Sequence, residues 1–361
     1  MSDMAVRVVE RRLGPVPWLV VRGPAIDAFT SLGGRLRTEI AEIVDGLPDL
    51  AALRRHVARE PGRSRFAAVR RATQSRFPQP WAELAALAAG AGVPLDDLAL
   101  LNFRGDLGVI EPGGTGEDTG CSDLAWRRQR SFIAHNEDES DFFAGRCVLL
   151  TLALDDQQPV ATFAKPGFMP SNTFTVTGPG LVWGIDHLQA GSPGPGAGRH
   201  FVARGLQLMA RTVDQAIGYL GQQPSAGGFA YTIGDRAGRI VAVESSAGQL
   251  AWREVGADGP IGWHTNHGRY IADAAARPDG TSLRRGRVLA ALPIPAGEPD
   301  PGWFVRVLAS APPDGVRAEP TGAGRTTTLC TFVADLTGDE ATIVSQHAEP
   351  VTVPLSSLIR S

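Results

Sequence analysis

The spacing of hydrophobic residues changes at about residue 120. From residue 25 to about residue 102, apolar side chains recur every three or four positions, which is the period of one helical face. The clearest series is Ala28, Leu32, Leu36, Ile40 and Ile43, and similar patterns cover residues 50–59, 81–89 and 95–101. This part is therefore predicted to be helical, preceded within residues 1–22 by two short apolar runs that could form edge strands.

Short apolar alternations dominate after residue 120, which is typical of strands. They cover residues 122–128, 131–136, 148–154, 173–177, 180–185, 228–233, 240–243, 326–333 and 341–344. Helical patterns return at about 200–220, 281–292 and 303–309. The order of these elements predicts an α+β protein with a helical N-terminal segment and a sheet-rich remainder.

The boundary between the two parts is a polar, glycine-rich stretch at residues 111–120, followed at once by Cys121. No regular element tolerates such a stretch. Structural cysteines are usually buried inside packed elements, whereas Cys121 lies where a loop meets the first predicted strand of the rear part. An ordinary half-buried cysteine at a strand start remains an alternative at this point.

Composition and charge narrow the class of protein. The chain has 361 residues, 43% of them hydrophobic and 20% charged, which is ordinary for a globular protein. With a net charge of −3 there is no basic field to recruit nucleic acid or an anionic membrane, so neither partner is expected. Three cysteines argue against a disulfide framework. No signal peptide or long apolar run is visible, so the expected location is cytoplasmic.

Gly120 and Cys121 suit intramolecular attack. The thiol of Cys121 can add to the carbonyl of Gly120, which has no side chain to obstruct it. Hydrolysis of the resulting thioester would leave a free α-amine on Cys121. Because the pKa of an α-amine is about 7.7–8.0, the same residue would then hold both a nucleophile and its general base.

Hairpin geometry suggests a partner for Cys121. If residues 122–128 and 131–136 pair around a turn at Gln129 and Arg130, facing residue numbers sum to about 259, and Cys121 lies opposite Asp138. A register shifted by one residue stays open, because Gln-Arg is not a favoured turn pair. The first register places Asn136 and Asp138 on the face of Cys121 and His135 on the other face, so no role is expected for His135.

Three segments together resemble the acyl-coenzyme A:isopenicillin N acyltransferase family of N-terminal-nucleophile hydrolases, the autoproteolytic cysteine type. They are Gly120-Cys121-Ser122, Asn136-Glu137-Asp138 and His264-Thr265-Asn266-His267. Residues 101–107, 180–186, 228–246 and 281–292 extend the resemblance, which covers about residues 25–345.

The resemblance implies a four-layer α/β/β/α sandwich and cleavage before Cys121. Residues 1–120 would form a small, mostly helical fragment that ends in the cleavage loop, and residues 121–361 would form a large catalytic fragment. Both fragments would stay in one compact unit.

Residue by residue, the resemblance also implies a catalytic site. Cys121 matches the nucleophile, Asp138 an aspartate at the end of the second strand, Asn266 an oxyanion donor, and Arg325 the family's late arginine. Expected substrate-binding residues are Asn136, Glu137, Trp183, Gly184 and His264. Glu137 stands where the family usually has an aromatic residue, so it adds a negative charge near the site.

The predicted function is N-acyl transfer through an acyl-enzyme at Cys121. The partners would be a small-molecule acyl donor and an amine acceptor, with acyl-coenzyme A or another acyl thioester as co-substrate and no cofactor. Hydrolysis of an amide by the same nucleophile is an alternative, and an uncleaved small-molecule-binding relative is another. A hydrolase using Ser122 or Ser131 is disfavoured, because neither serine lies in a strand–turn–helix elbow.

A metal site is not expected. His264 and His267 are three residues apart, but no carboxylate or cysteine accompanies them at ligand spacing, and Gly262 and Gly268 flank them.

Overall fold

A computed structural model describes residues 6–108, 120–188, 193–272, 280–320, 326–346 and 348–360. Two strands come first, β1 (Arg7–Leu13) and β2 (Val16–Gly23). Six helices follow: α1 (Ala25–Arg35), α2 (Arg37–Gly46), α3 (Pro48–Val57), α4 (Gly62–Arg76), α5 (Pro78–Ala91) and α6 (Leu95–Asn102). The predicted helical part is thus confirmed. Within it, α4 is the helix for which no separate hydrophobic pattern was named, because its buried positions are few and include Gly62 and Thr73.

The rest of the chain carries the remaining strands and helices. The strands are β3 (Ser122–Arg127), β4 (Ser131–Ser140), β5 (Val148–Leu154), β6 (Val160–Ala164), β7 (Thr175–Thr177), β8 (Val182–Leu188), β9 (Gly228–Gly234), β10 (Ile240–Ser246), β11 (Gln249–Glu254), β12 (Ile261–His264), β13 (Thr326–Asp335), β14 (Glu340–Ser345) and β15 (Val351–Pro354). The helices are α7 (Arg199–Met209), α8 (Val213–Gln222), α9 (Gly280–Ala290) and α10 (Pro301–Leu308).

The strands form two sheets. The larger has nine strands in the order β1-β2-β5-β6-β7-β8-β9-β10-β11, and the smaller has six in the order β12-β3-β4-β13-β14-β15. All neighbouring strands of both sheets are antiparallel except β2 and β5. The centre of the smaller sheet is β4, which lies between β3 and β13.

The layers stack in the order helix, sheet, sheet, helix. On one side, α1 and α8 contact strands of the larger sheet, and on the other side α9 and α10 contact the smaller sheet. Between them, β3 and β4 face β8. One apolar cluster joins the first helices to both sheets, and a second lies beneath α9 and α10. The predicted α/β/β/α sandwich is confirmed.

Residues on both sides of Cys121 build the same sheet. β2 is not the edge strand that the sequence suggested, because it pairs in parallel with β5, Trp18 opposite Leu149 and Val20 opposite Thr151. Of these first two strands, only β1 lies at an edge of the sheet. A shared ladder of backbone hydrogen bonds is the physical reason to expect that fragments 1–120 and 121–361 would stay together after a cut. Among the described helices, none is both long and apolar enough to cross a membrane.

An aromatic pair joins the two sheets. Phe174, just before β7, stacks on Phe332 of β13 with ring centroids 4.0 Å apart and an angle of 4° between the planes. Both side chains are fully buried.

Truncation of Phe332 tests this contact. We expect Phe332→Ala to lower the free energy of unfolding by about 3–5 kcal/mol, because it removes a buried ring and leaves a cavity. Met209→Ala is the control, since Met209 is 68% exposed and its truncation should change the free energy by less than about 0.5 kcal/mol. Urea unfolding measures both. Equal losses in the two variants would contradict the inter-sheet role.

Candidate active site

Cys121 lies immediately before β3 and is buried, with 7% of its surface exposed. Its Sγ lies 3.8 Å from the backbone carbonyl oxygen of Asp138, to which the thiol donates. Burial raises the pKa of the thiol to about 12, and the charge of Glu137 adds to the rise, while a hydrogen bond with His135 opposes it. In the intact chain Cys121 is therefore a protonated thiol at neutral pH.

The register of β3 on β4 corrects the predicted one. Ser122 pairs with Asn136, so facing numbers sum to 258 and Cys121 lies level with Glu137. The alternative that was left open, a shift by one residue, is the one that occurs. Because side chains alternate between faces, the prediction that Asn136 and Asp138 share the face of Cys121 is wrong.

His135 lies on the face of Cys121, contrary to the prediction that excluded it. A ring nitrogen of His135, the Sγ of Cys121 and a carboxylate oxygen of Glu137 all lie within 4.8 Å of one another. His135 Nδ1 is 2.7 Å from Asp123 Oδ1, and Nε2 is 3.2 Å from Glu137 Oε2. Burial alone would lower the pKa of His135, but hydrogen bonds to Asp123, Cys121 and Glu137 raise it well above its usual value.

The only lysine of the chain, Lys165, neutralises the acids beside this site. Its Nζ lies 2.7 Å from Glu137 Oε1 and 3.2 Å from Glu139 Oε2. Arg104 also bonds Glu139. Burial would raise the pKa values of both glutamates, but Lys165 and Arg104 hold them below their usual range. Both carboxylates are therefore ionised inside the protein.

A second acidic group faces the first from the larger sheet. His264 contacts Asp186 of β8 at 3.4 Å and Glu244 at 2.9 Å. Burial would lower the pKa of His264, yet these two acids raise it to about 9. Burial raises the pKa of Asp186 to about 6. His264 thus belongs to a charged layer between the sheets.

Gly184 permits the close approach of the two sheets at this layer. A Cβ at Gly184 would lie 2.3 Å from Asp123 Oδ1 and 3.0 Å from His135 Nδ1. Trp183, the neighbouring residue of β8, points to the other face of the strand, away from Cys121. Its predicted role in substrate binding gains no support from this placement.

Asn266 packs directly against Gly120. A Cβ at Gly120 would lie 1.8 Å from Asn266 Oδ1, so the close contact requires glycine. The amide of Asn266 is held on both sides, because Nδ2 donates to the carbonyl oxygen of His187 at 2.9 Å and Oδ1 accepts from Arg285 Nη2 at 2.7 Å. Asn266 is therefore a fixed polar group at the peptide bond that precedes Cys121.

Arg285 of α9 connects Asn266 to Cys121. Its Nη1 donates to the backbone carbonyl oxygen of Cys121 and to Ser122 Oγ, the latter at 2.9 Å. The predicted arginine, Arg325, lies outside the described residues. Arg285 falls in a helix that the sequence predicted, but three arginines of that helix are close together, and periodicity alone does not select one.

Asp138 and Asn136 face α10, on the outer side of the smaller sheet. Asn136 Nδ2 donates to the carbonyl oxygen of Leu308 at 2.8 Å, and Asp138 Oδ1 accepts from Thr328 Oγ1 at 2.6 Å. Asp138 Oδ2 is buried without a hydrogen-bond partner in the described part of the chain. Burial raises the pKa of Asp138 to about 7, although the charge of Arg285 opposes this.

The donor atoms of two groups lie close enough to hold a metal ion, namely Cys121 with His135 and Glu137, and Asp123 with His135 and Asp186. Both groups depend on His135, whose two ring nitrogens already bond Asp123 and Glu137.

The ion pairs of Lys165 generate a stability prediction. We expect Lys165→Met to lower the free energy of unfolding by about 3–5 kcal/mol, because it removes the buried ammonium that pairs with both Glu137 and Glu139 and leaves Glu139 with Arg104 alone. Arg54→Met is the matched control, since Arg54 and Asp97 pair at 2.8 Å with side chains 39% and 19% exposed, and its loss should cost less than about 1 kcal/mol. Denaturant unfolding at pH 7 compares the two, and an equally small loss for Lys165→Met would refute the argument.

Comparisons with known proteins agree with the family resemblance. The sequence model of the acyl-coenzyme A:6-aminopenicillanic acid acyl-transferase family matches residues 126–290. No curated protein matches the chain at a significant level.

Two solved structures share weak similarity with the chain. Penicillin V acylase from Agrobacterium tumefaciens is 13% identical with a TM-score of 0.39, over 64% of this chain and 84% of that one. A variant of conjugated bile acid hydrolase from Clostridium perfringens is 13% identical with a TM-score of 0.37, over 66% and 93%. Similarity at this level assigns no residue or substrate here. The sequence match covers β4, the center of the site, and continues to α9, which carries Arg285, so residues 126–290 are similar to the acyl-coenzyme A:6-aminopenicillanic acid acyl-transferase family.

Proposed function

We propose that this protein is a self-cleaving cysteine N-acyltransferase that forms an acyl-enzyme at Cys121. The observation that carries the proposal is the packing of the Gly120–Cys121 peptide. Asn266 lies against Gly120, and Arg285 binds both Asn266 and the carbonyl oxygen of Cys121. The Gly120–Cys121 peptide is thus flanked by the Cys121 thiol, by the Asn266 amide packed on Gly120, and by Arg285 on the carbonyl oxygen of Cys121.

Cleavage makes the nucleophile competent. In the intact chain the nitrogen of Cys121 is an amide and has no basicity, and the pKa of the thiol is about 12. Once the peptide is cut, the nitrogen becomes an α-amine with an ordinary pKa of about 7.7–8.0. The amine can take the thiol proton at neutral pH, as the base does in other nucleophile–base pairs.

Asp138 is suited to receive the new terminus. Its Oδ2 is buried and unpartnered among the described residues, and its backbone carbonyl oxygen already contacts the sulfur of Cys121. An ammonium group beside Asp138 would favour the ionised carboxylate and bring its pKa down from about 7. Asp138 would then orient the α-amine, although the register places its side chain on the other face of β4.

Asn266 is the proposed oxyanion donor. Acyl transfer passes through a tetrahedral intermediate whose oxygen carries negative charge, and one fixed amide donor of this kind contributes about 3–4 kcal/mol to its stabilisation. In the intact chain the Nδ2 of Asn266 donates to His187. The same amide would turn to the substrate after the segment ending at Gly120 has left its place against Asn266.

The substrate classes follow from the family. Its description names an acyl-coenzyme A donor and an amine acceptor, so an acyl thioester and a primary amine are the proposed substrates here. If water instead of an amine accepts the acyl group from the same acyl-enzyme, the protein is an amidohydrolase. A panel of acyl thioesters and acyl amides, with and without added amine, distinguishes transfer from hydrolysis by the ratio of N-acyl product to free acid.

Replacement of the nucleophile tests the proposal. We expect purified wild-type protein to yield two fragments that separate at Gly120–Cys121, and Cys121→Ala to remain one chain without acyl transfer. Intact-mass spectrometry and N-terminal sequencing measure the cut, and Cys147→Ala is the control because Cys147 is also a buried free cysteine. A wild-type chain that stays whole, or an active Cys121→Ala variant, would favour a non-enzymatic binding protein or another nucleophile.

Gly120 should matter through its lack of a side chain. We expect Gly120→Ala to slow cleavage at least tenfold, because the added Cβ would displace the Asn266 amide, and misplaced catalytic groups lose rates of about this size or more. Gly218→Ala is the control, since nothing lies within 4 Å of a Cβ there. The measurement is the half-time of precursor loss on denaturing gels. Cleavage of Gly120→Ala at the wild-type rate would show that the position of Asn266 does not matter for self-cleavage.

A further inference from the structure

The proposed self-cleavage needs a proton-transfer group that the cleaved enzyme does not need. Before the cut, the α-nitrogen of Cys121 is acylated by Gly120 and accepts no proton. The thiol nevertheless has to lose a proton, and the departing nitrogen has to gain one. Some other side chain must therefore transfer protons in the intact chain.

His135 is placed for this work. A ring nitrogen of His135, the sulfur of Cys121 and a Glu137 oxygen lie within 4.8 Å of one another. Both ring nitrogens are held, by Asp123 at 2.7 Å and by Glu137 at 3.2 Å, and the ring has no exposed surface. A histidine fixed by two carboxylates beside a thiol has the components of a cysteine–histidine–acid arrangement.

We propose that His135, acting with Glu137, is the proton-transfer group of the self-cleavage step and that Asp123 is its positioning residue. This inference rests on the proposed function of Cys121. It assigns different groups to the two stages, His135 to the cutting of the chain and the α-amine of Cys121 to the later acyl transfer.

The step balances without any added reagent. Sγ of Cys121 attacks the carbonyl carbon of Gly120, an S–C bond forms, and the His135–Glu137 pair takes the thiol proton. The C–N bond breaks, and the pair returns one proton to the nitrogen of Cys121. Water then hydrolyses the thioester, which leaves a carboxylate on Gly120 and a free thiol and amine on Cys121.

The first test compares cleavage with acyl transfer in His135→Gln. We expect the rate of precursor cleavage to fall roughly 100-fold or more, which is the size of a general acid–base contribution. Acyl transfer per free Cys121 terminus should fall much less, by no more than about tenfold. Cleavage is followed by intact mass, and free termini are counted by N-terminal labelling of the full-length preparation.

His200→Gln is the matched control. His200 is another buried histidine, stacked on Phe229 and bonded to Asn102, so its replacement should carry a similar folding cost without affecting cleavage by more than about threefold. Cleavage of His135→Gln at the wild-type rate would overturn the proposal. Equal losses of cleavage and transfer in His135→Gln would also overturn it, because a structural defect would affect both.

Asp123→Asn is a second variant, and its readout is the pH profile of cleavage, which would not change if Asp123 served only in packing. The Asp123 carboxylate supports the charged form of His135, so its loss should lower the pKa of His135 and shift the acidic limb of the cleavage–pH profile, where the proton acceptor loses its own proton, to lower pH. An unshifted limb would contradict the assignment. The titratable groups that interact with His135 are Cys121, Asp123, Glu137, Asp186 and Cys330, and Asp138 acts on it by its charge from the other face of β4.

The two proposals fail in different ways. If wild-type protein is never cut, or if Cys121→Ala is active, the proposed function fails. If wild-type protein is cut in a Cys121-dependent manner and His135→Gln is cut equally fast, only the role of His135 fails.

Discussion

The need to neutralise a buried run of polar side chains organises this structure. Residues 135–139 of β4 are all buried, at the center of the smaller sheet. Burial of an unpaired charge costs several kcal/mol, so each side chain must have a partner on a neighbouring element. The partners include Lys165, Arg104 and Asp123 on the inner face and Thr328 and Leu308 on the outer face.

Cys121 lies where these two environments meet. Its sulfur contacts the inner acid–base layer of His135 and Glu137, while its backbone carbonyl oxygen is bound by Arg285 from the outer helix layer. Asn266 lies at the same point, against Gly120. Strong burial keeps the thiol protonated in the intact chain, so the thiol needs a base. A cut before Cys121 would supply that base as the new α-amine. In the proposed function, activation by cleavage and the buried charged layer are thus parts of one arrangement.

The sequence identified many members of the site and misjudged their relations. Gly120, Cys121, Asn266 and Glu137 lie together as expected. In the predicted hairpin register the numbers of facing residues sum to 259, and in the observed register they sum to 258. This difference of one residue places Asp138 on the face of β4 away from the sulfur and His135 on the face beside it. The turn at Gln129 and Arg130 is not a favoured pair, so local sequence did not determine that register. Lys165 was recognisable only as the single lysine of an arginine-rich chain.

The features that the sequence predicted correctly are local. Hydrophobic period separated the helical front from the sheet-rich rear, and the glycine-rich stretch before Cys121 marked the proposed cleavage point, because period and glycine content depend only on neighbouring residues. The tertiary structure alone decided which face each strand presents, which arginine of α9 reaches Asn266, and that β2 joins β5 across the proposed cut. Those outcomes depend on pairing between residues far apart in the chain, where one register brings buried charges together and the next separates them.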